Sequence, residues 1–381
     1  MTEFETVDLP VINLHVLLTD SSDNSNNQDL IDIGKQILLA LESVGAFQCF
    51  AGSGDSTLTD VQLFGAADGL FSLDESAKQA TANAAFLRGY IGMGRESGGA
   101  AVEVKEGFSW GSHSNKQINN GNKLQYSNVF PSAFSSKHVS ILEEAHSFSA
   151  RVAQTILRAL SYALLNENSA IAACCAAPNE SEAISLSRLF RYYPYAQFPN
   201  NSQKNQRVVP HKDRIGSSHH TDWGLLTLIR SLEPGLQIAS TSAVSETTVW
   251  RTVVPRKDCF IVNGGDYLSI ITNGVVRSPL HRVVNSDSRV RTSFVFFYYP
   301  PFNTTVPRDF KFLQSDQLSE EAFDRLNSLS LFKDQRDVAF KGKANGTNII
   351  VENGDVLFDL KKVSFGQYIC SKWESVARFN Y

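Results

Sequence analysis

Cysteine is scarce in this chain of 381 residues: there are five, an odd number, at Cys49, Cys174, Cys175, Cys259 and Cys370. The adjacent Cys174 and Cys175 fit neither a zinc-ligand spacing nor a Cys-x-x-Cys redox pair, so reduced, mostly buried thiols are expected. An excess of one charge is missing too. Thirty-five Lys and Arg stand against 39 Asp and Glu, a formal net charge of −4 with no basic block. A nucleic-acid-binding footprint is thereby excluded. No apolar run approaches the length of a membrane span, and "MTEFETVDLPVINL" carries acidic residues where a secretory leader would be basic. The expectation is a cytoplasmic protein with no membrane partner. There is no internal repeat and no low-complexity tract. What is present is a chain with 42% hydrophobic residues, enough to bury a large core in one large or two closely packed domains.

From Asp29 to Val44 the apolar residues Leu30, Ile33, Ile37, Leu38 and Leu41 recur at helical spacing, and a second helical pattern runs from Leu58 to about Gln79. "FLRGYIGMGRESGG" is too rich in glycine for a helix; with the polar stretch ending in "NVFP" it reads as loop or short strand. The strongest helical stripe follows from Lys137 to Leu165, carried by Ile141, Leu142, Ala145, Phe148, Val152, Ile156, Leu160 and Leu164. Beyond the small-residue linker "NSAIAACCAAPNESEA" the character changes. Between Ser185 and Pro300 the apolar segments are short and rich in β-branched and aromatic residues: "RLFRYY", "GLLTLIR", "TTVWRTVV", "DCFIV" and "RTSFVFFYY" read as strands. So many short strands predict a closed or double-layered antiparallel core rather than βαβ units. A polar segment and a last amphipathic helix near Phe365 to Val376 end the chain. The expected division is 1–180, helical and mixed; 181–300, the β core; and 301–381, a C-terminal lid, including "FKDQRD", with a helix packed on that core.

"SSHHTDWGLLTL" places two imidazoles and a carboxylate at the mouth of an apolar strand. Residues two apart on a strand share a side, so His220 and Asp222 project together and His219 points away. "SPLHRVV" supplies His281, reachable from another strand of the same barrel. Two imidazoles and one carboxylate on one face of a metal leave positions open, which is the ligand set of non-haem Fe(II) oxygenases. Alone, His220 and Asp222 serve equally as a hydrogen-bonded pair in a turn. A competing His211 and Asp213 lie in a charged loop, a poorer platform for a ligand.

"SDSRVRTSFVFFYYP" puts Arg291, Ser293, Val295 and Phe297 on one strand face. A buried guanidinium needs a partner, and a carboxylate held bidentately is the natural one, either a ligand's or an internal Asp or Glu. In "SRLFRYYP" the same alternation aligns Arg191 and Tyr193 with Leu189. A Tyr193 facing the cavity would bring Arg191 with it.

These segments together resemble the iron(II)- and 2-oxoglutarate-dependent dioxygenases of the isopenicillin-N-synthase-like group. The likeness runs from "LPVINL" and "VGAFQCF" through "GYIGMGRE", "KEGFSWG" and "NVFP" to "SRLFRYYP", "HHTDWGLLTLI", "PGLQI", "VNGGDYLSIITNG", "SPLHRVV" and "RVRTSFVFFYYP". The resemblance implies an α+β chain with a mainly β core, a double-stranded β-helix or jelly roll wrapped by N- and C-terminal helices. It further implies iron on His220, Asp222 and His281, and 2-oxoglutarate on Arg291 and Ser293 with help from Tyr193. O2 is the third reactant, and no catalytic residue beyond the metal ligands is assigned. Plant relatives usually carry Asn where this chain has Arg191. The implied activity, in secondary metabolism, is oxidation of an unactivated C–H bond by ferryl hydrogen abstraction, with hydroxylation or kainoid-type ring closure as outcome. Arg191 and Arg95 would make the pocket cationic, favouring a small, carboxylate-bearing, amino-acid-like substrate; a monomer is expected. Three alternatives stay open on the residues: an oxidase of isopenicillin-N-synthase type without 2-oxoglutarate, a non-catalytic jelly-roll binding protein, and a zinc hydrolase.

Overall fold

A computed structural model describes residues 5–19, 27–52, 58–82, 88–95, 103–112, 127–165, 184–194, 215–241, 248–272, 274–286, 288–305, 338–340, 349–352, 355–359 and 364–378. The first helix of note, α2 (Asn27–Ser43), follows the short strands β1 (Thr6–Val7) and β2 (Val11–Asn13) and the one-turn α1 (His15–Thr19). Gly45, at φ +82°, ends α2: its amide and that of Val44 both return to the Ala40 carbonyl, a closure that needs the left-handed region. Strand β3 (Ala46–Phe50) starts at once.

The single helical pattern expected over 58–79 is two helices, α3 (Asp60–Phe71) and α4 (Glu75–Gln79). A capping box fixes the start of α3: the Thr59 hydroxyl accepts from the Gln62 amide while the Gln62 side chain accepts from the Thr59 amide. Helix α5 (Ser136–Leu165) follows the predicted stripe, burying Leu142, Ala145, Val152, Ile156 and Leu160. The glycine-rich and polar stretch read as loop or short strand contains the short β4 (Gly89–Ile91) and a longer, fully buried strand, β5 (Lys105–Gly111). Lys105 and Glu106 gave it a solvated look, yet both find internal charge partners.

The five expected strand segments are present as β6 (Leu186–Tyr192), β8 (Leu226–Ser231), β10 (Thr248–Val253), β11 (Cys259–Gly264) and β13 (Arg291–Tyr298), joined by β7 (Ile215–His220), β9 (Leu236–Thr241) and β12 (His281–Val284), with helix α6 (Asp266–Ile271) after β11. They form two sheets. One has the order β1-β10-β9-β12-β7 and the other β2-β3-β11-β8-β13-β6-β5-β4. In the larger sheet, β2 and β3 close one edge and β4 and β5 the other, so four strands from the first 111 residues flank four from the β-rich half. A third sheet joins β14 (Val338–Phe340), β15 (Ile349–Glu352) and β16 (Asp355–Asp359).

The two main sheets pack face to face over a core that includes Phe190, Tyr192, Ile229, Leu236, Ile238, Val283 and Val295. The outer face of the large sheet is covered by α2, α3, α5 and the last helix, α7 (Phe365–Arg378), through Leu41, Leu63, Ile156, Phe294, Phe296 and Tyr368. This is the expected jelly roll wrapped by N- and C-terminal helices. Among the described residues, no helix is long and apolar enough to cross a membrane.

Candidate metal centre

Strand β7 ends on His220 and β12 begins on His281, and the pairing of the two strands sets these residues opposite one another. Their ring centroids are 4.3 Å apart. Asp222 lies in the turn just beyond β7, with Oδ1 at 3.8 Å from Nε2 of His220 and Oδ2 at 3.7 Å from Nε2 of His281. Each imidazole is oriented from behind. Nδ1 of His220 meets the Ser218 carbonyl at 2.7 Å, and Nδ1 of His281 meets the Pro279 carbonyl at 3.0 Å. Carbonyls only accept, so both Nδ1 atoms carry the proton and both Nε2 lone pairs face the carboxylate.

Burial, then the neighbouring His281 ring, push His220 down to about 4, which keeps it neutral and able to donate a lone pair to a metal. Asp222 is buried, yet its Oδ2 has no hydrogen-bond partner. A buried orphan oxygen between two imidazole lone pairs is an acceptor set without a donor, and a divalent cation is the species that satisfies all three. Among the described residues this is the only group of three such side chains, with ligand atoms all within 4.8 Å of one another.

A cavity runs from these groups between the sheets. At its far end lie Arg291 and Ser293; Phe190, Tyr192, Ile229, Leu236, Val283, Val295 and Phe297 make the walls. The guanidinium of Arg291 is oriented by Nε donating to the Glu233 carbonyl at 3.1 Å and by the Tyr192 ring, 5.1 Å below it. Its stem lies against Gly235, where a Cβ would stand 2.8 Å from Cδ of Arg291. Burial lowers the Arg291 pKa from its ordinary value, opposed by Tyr192 and Glu233. Both Nη1 of Arg291 and Oγ of Ser293 are buried without a hydrogen-bond partner. Two orphan donors at the end of a cavity that starts at a metal-type cluster fit a bifunctional acid, one end chelating the metal and the other end ion-paired.

The structure therefore brings together His220, Asp222 and His281 at one end and Arg291 and Ser293 at the other. His219 points outward toward Trp250, with ring centroids 6.5 Å apart. Tyr193 and Arg191 require correction. Strand β6 presents Phe190 and Tyr192 to the cavity, so its other row faces the helices: Arg191 pairs with Asp68 of α3, and the Tyr193 hydroxyl donates to Glu106. Tyr192 sits opposite Arg291 in the ladder, and it is the phenol of the cavity. Arg95 is corrected as well, since it is exposed on the turn after β4 and does not line the cavity. The competing His211 and Asp213, and the "FKDQRD" lid segment, lie outside the described residues.

Sequence reasoning also passed over Glu103 and Lys105, buried at the entry to β5 and paired at 2.7 Å. Two acidic residues and one basic residue crowded into "EVKEG" beside a glycine-rich stretch hide their burial. Glu103 also accepts from the distant Ser218 amide, and the neighbouring Glu106 pairs with Lys78 of α4.

Comparison with known proteins gives these features a context. Residues 186–300 match the 2OG-Fe(II) oxygenase superfamily, and residues 9–133 match the non-haem dioxygenase in morphine synthesis N-terminal family. The soybean (Glycine max) homoarginine-6-hydroxylase 2-ODD-C23 is 29% identical over 312 residues, covering 80% of this chain and 88% of that protein. The 2-oxoglutarate-dependent dioxygenase citB of Monascus ruber is 28% identical, over 76% of this chain and 84% of its own. Among solved structures, a full-length Neurospora crassa protein in complex with alpha-KG and thymine superposes with a TM-score of 0.61 at 16% identity, over 98% of each chain.

Proposed function

Because this chain belongs to the 2OG-Fe(II) oxygenase superfamily and is thereby an iron- and 2-oxoglutarate-dependent dioxygenase, we propose that it hydroxylates an unactivated C–H bond of a small, amino-acid-like metabolite. His220, Asp222 and His281 would hold Fe(II), and Arg291 with Ser293 would hold the distal carboxylate of 2-oxoglutarate over the Tyr192 ring. The observation that carries this assignment is the set of buried orphans, Oδ2 of Asp222, Nη1 of Arg291 and Oγ of Ser293, at the two ends of one cavity. Bound iron with 2-oxoglutarate supplies O2 activation and the oxidising equivalents needed to break a C–H bond.

The chain's own contribution is placement. The Pro279 and Ser218 carbonyls fix the two imidazoles, and the Glu233 carbonyl fixes the guanidinium. Val283, Val295, Ile229 and Phe297 keep bulk water from the space between them. The choice of hydroxylation over ring closure then lies in how the substrate is held.

The substrate class is supported by relatives named as homoarginine-6-hydroxylases in soybean and Arabidopsis thaliana. The test is O2 uptake and succinate release over a panel of basic and acidic amino acids, N-substituted amino acids, small peptides and neutral aromatics, with product mass. A product heavier by one oxygen from an amino acid supports the reading, and a product lighter by two hydrogens indicates ring closure or desaturation. Turnover of a neutral aromatic with silence from every amino acid overturns it.

A further inference from the structure

Strand β7 carries His220 at the edge of its sheet, paired on one side only, and its register with β12 shifts on both sides of Val283. A strand so weakly laddered is a poor support for a metal ligand. His281 has no such problem, because β12 lies between β7 and β9.

The missing support comes from the other sheet. Glu103 and Lys105 are nearly wholly buried, with side-chain exposures of 4% and 8%, and pair at 2.7 Å through Oε2 of Glu103. The second carboxylate oxygen, Oε1, accepts the Ser218 amide N–H at 2.6 Å. The carbonyl of that same Ser218 accepts from Nδ1 of His220. The backbone beside Glu103 is itself pinned: the Val104 carbonyl accepts from the Tyr193 amide at 3.2 Å and from Nδ2 of Asn285 at 2.9 Å. A buried ion pair is a weak source of stability, since apolar residues of equal volume do as well or better. Its retention calls for a role in specificity of structure, and its location supplies one.

We propose that Glu103, anchored by Lys105, is a positioning residue for the metal centre, acting as the strand partner that β7 lacks and setting the His220 ring through Ser218. The inference rests on the assignment of iron to His220, Asp222 and His281. Partners behind a ligating imidazole typically change metal affinity by about 10- to 100-fold when removed.

The test titrates cobalt(II) chloride into the metal-free full-length protein, reading affinity and the visible ligand-field spectrum. Two double variants share the loss of the buried cation and differ in the acceptor offered to Ser218: E103Q/K105M keeps an amide oxygen, and E103A/K105M has none. Expected are a Kd within about threefold of wild type and an unchanged spectrum for the first, and a Kd weaker by about 10- to 100-fold with shifted bands for the second. If the two bind alike, whether both well or both poorly, the positioning role is overturned while the metal site stands. A wild type that binds no cobalt overturns the metal assignment itself. Should E103A/K105M fail to fold, Ser218→Pro removes the donor of the same hydrogen bond from an edge strand, where proline is tolerated. It must show the same weakening, and wild-type affinity in that variant overturns the proposal.

Discussion

Replacing Arg291 with Met separates binding from stability in a way that few substitutions in this protein do. In the wild type the guanidinium is buried and oriented by Glu233 and Tyr192, yet its Nη1 has no partner among the described residues. Loss of one member of a buried, hydrogen-bonded charge pair costs about 2–5 kcal/mol. At tenfold per about 1.4 kcal/mol, 2-oxoglutarate affinity should fall by about 30-fold to several thousand-fold. The same change removes a buried cation whose Nη1 is unsatisfied in the ligand-free protein, so its melting temperature should equal or exceed that of the wild type. Arg291→Lys should recover little, because an ammonium cannot reproduce a planar two-donor contact. Anaerobic calorimetric titration of 2-oxoglutarate into manganese-loaded protein measures the first effect, and thermal melting without ligand measures the second. Binding by Arg291→Met within threefold of wild type would refute the assignment of this arginine. So would a loss of affinity matched by an equal loss of ligand-free stability.

The row assignment of β6 is tested by affinity for the same co-substrate: Tyr192→Ala, which removes the ring under Arg291, should weaken it by about 2- to 30-fold, whereas Tyr193→Phe should leave it within about threefold. His281→Ala should abolish the anaerobic Fe(II)–2-oxoglutarate charge-transfer band while the far-ultraviolet circular dichroism stays unchanged; a persisting band would remove His281 from the ligand set. Asp60→Ala leaves Arg230, paired with it at 2.5 Å in the core, without its main counter-charge, and should cost about 3–5 kcal/mol in denaturant unfolding. Cys49 is fully buried and its thiol is pushed well above the usual range by that burial; it should resist alkylation at pH 8 until the protein unfolds, and rapid labelling in the native state would contradict the packing of β3 on β11.

Some parts of this molecule declare themselves in the chain and others do not. The alternation of Arg291, Ser293, Val295 and Phe297 is intact in the cavity wall, because an arginine and a serine interrupting an apolar strand mark one row unambiguously. Strand β6 carries no such mark. With arginines at 188 and 191 and a Tyr-Tyr doublet at 192 and 193, either row reads as functional, and the choice is made by pairing with β13, which sets Tyr192 against Arg291. Strand β5 stayed hidden for a different reason. The charges that suggested solvent are satisfied by Lys78 from α4 and by Glu103, contacts that exist only after folding. The long helix α5 was legible because its stripe is local, whereas the break between α3 and α4 turns on capping at a few polar residues.

The way the large sheet is put together bears on how this protein can be made. Its two borders are supplied by strands made before the middle, whose own strands emerge more than 70 residues later. Strand β5 has no inner neighbour until β6 emerges and β3 none until β11, and the two pieces join only when β13 is made, so the early segments wait with apolar edges unpaired. Nascent chains stalled before residue 298 should lean on chaperones, and an attempt to express the β-rich half alone should yield a sheet open on both sides and prone to aggregate.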